Sequence, residues 1–315
     1  MTHAFPLSGA LDGWTSSRGG AYERSLRCAR VVMWACTAEQ QENDFLKIAR
    51  LRKSQVPERS ALGWRSLSEL RRESYLRGEK SPNSATVEAA RRFAPHSFVV
   101  FHHELWTALS NKADMATCAA LQLTKGGEGR ARILADVVQK PNDQAPKPSE
   151  LDEVTLLVAS IRLAVGQKRS VDAFRYGIAL IYALVLLAVH PLHRHAHADL
   201  VKVVGPGVLD GLTDHRLRIQ HSADILEMVG SAMRSRCDDL TVLAGGAYRL
   251  AYGPPLKPET FADLFHPYAA ALCEPSPAIH EDLLGFLERS LGRIHGMAPA
   301  ALKRLEAMAL FARVI

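Results

Sequence analysis

The sequence predicts an all-α protein, and three observations support this fold class. Apolar residues make up 47% and charged residues 23% of the 315-residue chain, which is typical of a folded protein with a buried core. Aromatic residues are sparse at 7%, and the alternation of Val, Ile, Thr and Tyr that marks strands is almost absent. Apolar residues recur instead at helical spacing, in segments of about 12 to 20 residues separated by Gly, Pro and Asn.

The N-terminal part of the chain carries three predicted helices. The first runs from about Tyr22 to Arg52, and the next two, Ser66–Leu76 and Ala85–Phe93, flank the loop GEKSPNS. Gly78 can adopt the left-handed conformation that ends a helix, and Asn83 or Ser84 can cap the helix that follows. This part is therefore expected to be helical up to residue 140.

A proline-rich stretch suggests where the chain divides. QKPNDQAPKPSE, residues 139–150, has three prolines and no large apolar residue, which is typical of a linker. We therefore expect a helical domain at 1–140, a linker at 141–150 and a helical bundle at 151–315.

The predicted bundle contains seven helical segments. They lie near 150–166, 171–189, 192–204, 221–235, 257–273, 278–295 and 298–313. The apolar run Gly177–Val189 has thirteen residues, whereas a membrane span needs about 20. It is interpreted as a buried core helix, and no membrane partner is expected. The apolar terminal helices predict self-association or contact with a protein partner.

Cysteine usage and the first residues predict a cytoplasmic protein. The five cysteines are odd in number, scattered, and never form a Cys-x-x-Cys pair, which favours reduced thiols in a reducing compartment. The stretch MTHAFPLSGALDGW lacks the basic and apolar regions of a secretory signal.

Positive charge is concentrated in one segment. Up to Lys147 there are 22 Lys and Arg against 15 Asp and Glu, a net of +7, and the remainder has 17 against 18, a net of −1. Residues 47–92 alone contain 12 basic and 5 acidic residues, again +7. This is the electrostatic pattern of a protein that neutralises phosphates. The alternative is a solvated helical surface on which Glu69, Glu73 and Glu88 pair with the arginines.

The stretch RGEKSPNSATVEAARRFA, residues 77–94, resembles the end of a helix-turn-helix domain of the Cro and lambda-repressor type. Gly78, Pro82, Thr86, Val87 and Ala90 match the helix stop, the loop proline and the small apolar residues of the following helix. The resemblance covers about residues 66–94. Upstream the chain reads QVPERSALGW, without the Gln-led helix and correctly placed Gly turn of that family.

The resemblance implies that Ser66–Leu76 is the recognition helix, whose outward side chains enter the major groove of DNA. The implied groove-facing residues are Ser68, Glu69, Arg71, Arg72 and Tyr75. The implied phosphate contacts are Arg77, Lys80, Arg91 and Arg92. Arg suits bidentate contact with guanine, and Ser or Tyr can donate to phosphates or base edges.

A second cluster, HPLHRHAHADL at residues 190–200, contains four histidines. On a helix His190, His193 and His197 would share one face, whereas in a strand His193, His195 and His197 would share one face with Asp199. Either arrangement could hold zinc. HAHADL resembles the His-x-His-x-Asp-His signature of metallo-β-lactamase-type hydrolases, but Leu200 replaces the last His, so no catalytic role is carried over. We expect partly exposed histidines at a helix end or loop, without metal.

Signatures of other enzyme classes are missing from the sequence. It has no Gly-x-Gly-x-x-Gly, Walker or Gly-x-Ser-x-Gly motif, and no cofactor is expected. The sequence therefore favours a non-enzymatic, nucleic-acid-binding protein that acts in regulation or in a complex, with DNA as the expected ligand. The alternatives are a metal-dependent hydrolase that uses the His190–Asp199 cluster and a helical scaffold that binds protein.

Overall fold

The computed structural model confirms the all-α class, because helices account for 76% of the residues that it describes. The described residues are 17–51, 63–139, 151–188, 190, 192–213, 218–219, 222–227, 230–231 and 273–274. The chain forms two compact units, Met1–Asp114 and Met115–Ile315.

Unit 1 contains one long helix and four short helices among its described residues. They are α1 (Ser17–Leu51), α2 (Glu69–Leu76), α3 (Ser84–Arg91), α4 (Pro95–Phe101) and α5 (Leu105–Leu109). Helix α1 packs against α2, α4 and α5, and α3 packs against α4. At 1.5 Å per residue α1 is roughly 50 Å long, so it is long enough for α2, α4 and α5 to pack along it.

An aromatic cluster fills the core of unit 1. The ring centroids of Trp34 and Trp64 are 5.5 Å apart at an interplanar angle of 82°, and Trp34 meets Tyr75 at 5.5 Å and 77°. Edge-to-face pairs of this kind are favourable because the positive ring edge meets the negative ring face. Val87 and Ala90 of α3 join the same core. The cluster therefore holds α2 and α3 against α1.

The turn between α2 and α3 has the conformation expected from its sequence. Gly78 has φ +68°, and a Cβ atom there would lie 3.0 Å from the Cβ of Cys28. The side chain of Asn83 accepts a hydrogen bond from the Thr86 amide at 2.8 Å and so caps α3. Both the glycine helix stop and the asparagine cap are confirmed.

The described part of unit 2 is also mainly helical. Its elements are α6 (Met115–Thr124), α7 (Gly127–Gln139), α8 (Leu151–Gly166), α9 (Ser170–Leu187), α10 (His197–Val204) and a π-helical turn at Gly205–Leu209. Two short antiparallel strands, β1 (Arg218–Ile219) and β2 (Cys273–Glu274), pair in the register Arg218↔Glu274 and Ile219↔Cys273.

The division between the units comes earlier than the predicted linker. Helices α6 and α7 precede residue 140, yet α6 packs on α8 and α7 packs on α9, so they belong to unit 2. Residues 141–150 themselves lie outside the described part of the chain, as do the helices predicted at 278–295 and 298–313 and residues 257–272 of the helix predicted at 257–273, whose last residue, Cys273, lies in β2. The expectation that the terminal helices mediate assembly stays a prediction.

Helix α9 contains most of the apolar run singled out in the sequence. Of the described helices, it alone is long and apolar enough to cross a membrane, and 67% of its residues are buried inside the protein. It is tied to α7 at its start, where the Arg169 guanidinium contacts Glu128 and Asp172, each at 2.8 Å. Its main packing partner is α8, in agreement with the core helix that the sequence predicts.

Candidate nucleic-acid interface

A buried carboxylate on α1 fixes the segment that leads into α2. Glu42 is 0% exposed and accepts hydrogen bonds from the backbone amides of Trp64 at 2.5 Å and Arg65 at 3.0 Å. Charge-assisted bonds to an ionised group are stronger than neutral ones. Burial raises the pKa of Glu42 above its ordinary value, although the two amides and the charges of Arg65 and Arg72 oppose the rise.

Glycine at position 63 lets this segment lie close to α3. A Cβ atom there would lie 2.1 Å from the Ala89 carbonyl oxygen, so only glycine allows the two backbones to approach this closely. The rings of Phe45 on α1 and Phe93 after α3 meet at 5.1 Å. The end of α1, the start of α2 and the end of α3 therefore lie together.

The nine residues implied by the repressor-type resemblance differ in exposure. Seven are exposed: Ser68, Glu69, Arg71, Arg77, Lys80, Arg91 and Arg92. The other two are Arg72, which is half-buried, and Tyr75, which is buried. The sequence therefore identified mostly surface residues, all of them in unit 1.

Tyr75 was expected to face the major groove of DNA, but this expectation is wrong. Its side chain is only 7% exposed, because its ring packs edge-on against Trp34 in the core. A side chain in that position stabilises the unit and does not reach a ligand. The sequence alone did not show this, because Tyr fits an outer face and a core equally well.

Arg72 is half-buried and turned toward the interior. Its Nε atom is buried and, among the described residues, has no hydrogen-bond partner. Its charge lowers the pKa of Glu42, so it acts as a partial counter-ion for that carboxylate. Arg72 is therefore better placed to stabilise the start of α2 than to contact a nucleic acid.

Three exposed arginines are engaged locally. Arg77 contacts Glu79 at 3.0 Å and Glu73 at 3.8 Å. Arg91 contacts Glu88 at 3.2 Å and lies over the ring of Phe98, 4.5 Å from its centroid. Arg92 lies 5.2 Å from the ring centroid of Phe93. The exposed ion pairs of Arg77 and Arg91 contribute little to stability, but each places a carboxylate beside an arginine charge, whereas the contact of Arg92 is with an aromatic ring.

Among the residues implied by the resemblance, Arg92 and two further cations are exposed without a carboxylate partner. Within the part of unit 1 that the structure describes, Arg71, Lys80 and Arg92 have no carboxylate within salt-bridge distance. Arg71 lies in the first turns of α2, Lys80 in the following loop, and Arg92 just after α3. We call these three residues the open cations.

Sequence reasoning missed Glu42, although its spacing contains a signal. Glu42 follows Ala38 by four residues and precedes Leu46 by four, and both are buried. Residues four apart share a helical face, so the pattern places this acid on the inner side of α1. An acid on an apolar helical face indicates a buried hydrogen-bonding role.

The histidine cluster in unit 2 does not form a shared site. His193 is 6% and His197 0% exposed, whereas His195 is exposed. The rings of His190 and His193 stack with centroids 4.4 Å apart, and His197 begins α10. The expected loop and helix-end positions are correct, but the expected partial exposure is wrong for His193 and His197, which pack into the interior.

The metal alternative gains no support from this geometry. Among the described residues, no group of three or more His, Cys, Asp or Glu side chains is arranged to hold a metal ion. Asp199 is half-buried, and burial raises its pKa, which Lys202 opposes.

Comparisons of the chain with models of protein families, with curated proteins and with solved structures give no match. The interpretation of unit 1 therefore depends on its own charges and contacts.

Proposed function

We propose that unit 1 binds nucleic acid, with duplex DNA as the expected ligand, and acts in a regulatory or nucleic-acid-associated complex. The observation that carries this proposal is the presence of three open cations, Arg71, Lys80 and Arg92, on α2, its loop and the end of α3. Unpaired surface cations attract phosphates because binding releases the counterions condensed on the nucleic acid.

The backbone that carries the open cations is held in place by local contacts, which favours a binding surface over a helical surface that is only solvated. The Asn83 cap, the left-handed Gly78 and the amides held by Glu42 all fix the backbone on which the open cations lie. A preformed backbone loses less conformational entropy when it binds a ligand. The arrangement is therefore suited to contact phosphates at fixed positions.

The test is the salt dependence of binding by a triple variant, Arg71→Gln, Lys80→Gln and Arg92→Gln. If each open cation neutralises one phosphate, the slope of log affinity against log salt should fall by about 2.7 on duplex DNA. Fluorescence anisotropy with a labelled duplex, repeated over a range of salt concentrations, measures this slope. Arg72 is left unchanged, because a substitution beside Glu42 would perturb the fold.

The matched control replaces three other exposed cations of unit 1, Arg24, Arg27 and Lys112, with Gln. This variant has the same net charge as the test variant but lies outside residues 47–92. An equal loss of slope in both variants would indicate a nonspecific effect of net charge. The proposal is wrong if the wild-type protein binds neither duplex DNA, RNA nor single-stranded DNA at low salt.

A further inference from the structure

A shallow groove lies along the C-terminal part of α1 and is separate from the residues implied by the resemblance. Its volume is about 160 Å³, well below the roughly 300 Å³ at which small-molecule pockets begin. It therefore suits a single chemical group better than a whole ligand. The residues that line it are Gln40, Asn43, Leu46, Lys47, Arg50 and Arg65.

Helical spacing explains how the groove acquires its donors. Gln40, Asn43, Lys47 and Arg50 are separated by three, four and three residues, which places them on one face of α1. Arg65, from the segment before α2, contributes a third cation. Every polar side chain that lines the groove carries N–H groups, and three of them are cations.

The internal contacts of the groove orient these donors. The Arg65 guanidinium donates through Nη2 to Asn43 Oδ1, which leaves the amide N–H groups of Asn43 to act as donors. The backbone N–H of Arg65 is held by Glu42. The guanidinium of Arg65 is therefore attached to a fixed stretch of backbone.

Among the described residues, two carboxylates lie near the groove, Asp44 and the buried Glu42, which accepts from the Arg65 amide. Asp44 accepts a hydrogen bond from Gln40 Nε2 at 2.9 Å, and its other oxygen is 3.9 Å from Lys47 Nζ. Two acids against the three cations of the groove leave a formal charge of +1 among the described residues. A small concave surface that is positively charged and rich in N–H donors is complementary to a phosphate group.

We propose that this groove binds a phosphate group, with Lys47 and Arg50 as its principal charges. The assignment of that phosphate to a nucleic-acid backbone rests on the proposed function. Guanidinium groups bind phosphate oxygens in a bidentate manner, and side-chain amides fix the register of the backbone. The groove thus adds a phosphate contact outside the recognition-type helices.

The first experiment tests phosphate binding independently of nucleic acid. Full-length protein is titrated with pyrophosphate while the side-chain amide signals of Gln40 and Asn43 are followed by NMR. Saturable shifts are expected in the wild-type protein, and loss of saturation is expected in the Lys47→Gln, Arg50→Gln variant. Circular dichroism verifies that the variant keeps its helical content. Absence of saturable shifts in the wild-type protein would overturn the proposal.

The second experiment identifies the source of the phosphate. The Lys47→Gln, Arg50→Gln variant should lower the salt slope on duplex DNA by about 1.8. Across roughly a fourfold rise in salt, the wild-type protein should then lose about 12-fold more affinity than this variant. The Arg24→Gln, Arg27→Gln variant has the same spacing on the same helix and should retain the wild-type slope.

The outcomes separate the two proposals. Saturable pyrophosphate shifts without nucleic-acid binding would support the groove and refute the proposed function. Nucleic-acid binding with a wild-type slope in the groove variant would overturn the assignment of the groove to the backbone. An equal loss of slope in the matched Arg24 and Arg27 variant would also overturn it, because the effect would then follow net charge.

Discussion

Removal of the Glu42 carboxylate should selectively destabilise unit 1. In Glu42→Ala the amides of Trp64 and Arg65 lose their acceptor, and the half-buried Arg72 loses its counter-ion. Hydrogen bonds to charged groups contribute about 1.5 to 3 kcal/mol each, so two lost bonds predict a fall of about 3 to 6 kcal/mol in the free energy of unfolding. This is a large fraction of the 5 to 15 kcal/mol that roughly spans domain stability.

Glu42→Gln should be milder, because the amide keeps one acceptor oxygen and nearly the same volume. We expect a loss of about 1 to 2 kcal/mol. Urea unfolding followed by tryptophan fluorescence measures both variants, since Trp34 and Trp64 lie beside the altered contact in the core. Glu39→Gln, on the same helix, is the control and should unfold near the wild-type midpoint.

The pH dependence of Glu42→Gln gives an independent check. Because burial raises the pKa of Glu42 in the folded state above its ordinary value of 4.5, the folded state binds more protons than the unfolded state just above that pH. The extra stability that protonation of Glu42 gives the folded state is therefore present below pH 4.5 and is lost as pH rises through the folded pKa. The difference between wild type and Glu42→Gln should shrink over that range.

Two results would refute the reasoning about Glu42. Wild-type urea midpoints for both variants would show that the two amide contacts do not stabilise the segment before α2. A difference between wild type and Glu42→Gln that grows as pH rises would show that the pKa is lowered in the folded state. The carboxylate would then be stabilised by its partners more than it is penalised by burial.

The turn between α2 and α3 yields two further predictions, both measurable by thermal unfolding followed by circular dichroism. Gly78→Ala should lower the free energy of unfolding by more than the roughly 1 to 2 kcal/mol that an alanine in the left-handed conformation costs. The reason is that the new methyl group would also meet Cys28. Gly127 has φ +75° and open space around it, so Gly127→Ala measures the backbone cost alone. Equal losses of stability in the two variants would refute a contribution from the Cys28 contact. Asn83→Ala should lower the free energy of unfolding by about 1 kcal/mol, because the cap of α3 is lost. Ser68→Ala should lower it less, because Ser68 stands at a cap position but makes no side-chain hydrogen bond there. A larger loss for Ser68→Ala would contradict the assignment of Asn83 as the cap.

Local features were accessible from the sequence because they depend on nearby residues. The stop at Gly78 follows from the conformational freedom of glycine, and the cap at Asn83 follows from a side-chain acceptor three residues before the amide that it binds. The core helix α9 followed from a continuous apolar run. Each of these features is encoded within a few residues.

Features that depend on distant residues were not accessible in the same way. Glu42 contacts amides 22 and 23 residues away, and Tyr75 turns inward because Trp34 provides an edge-to-face partner and Trp64 a tilted one. The early division of the chain depends on α6 and α7 packing against α8 and α9. Periodicity shows which face of a helix is apolar, but it does not show which partner covers that face.

The pairing of charges also explains how unit 1 would divide its contacts with a duplex. The outer face of α2 carries Glu69 and Glu73, and Arg77 is occupied by Glu73 and Glu79, so this face is nearly neutral and would attract phosphates poorly. Glutamate can, however, accept a hydrogen bond from the exocyclic amine of cytosine at a base edge. Of the open cations, Lys80 in the loop after α2 and Arg92 after α3 lie at the flanks of this face, whereas Arg71 lies within α2 between Glu69 and Glu73. Since phosphate contacts fix position and base contacts provide specificity, affinity should reside in those flanks, and sequence preference should reside in the central face of α2.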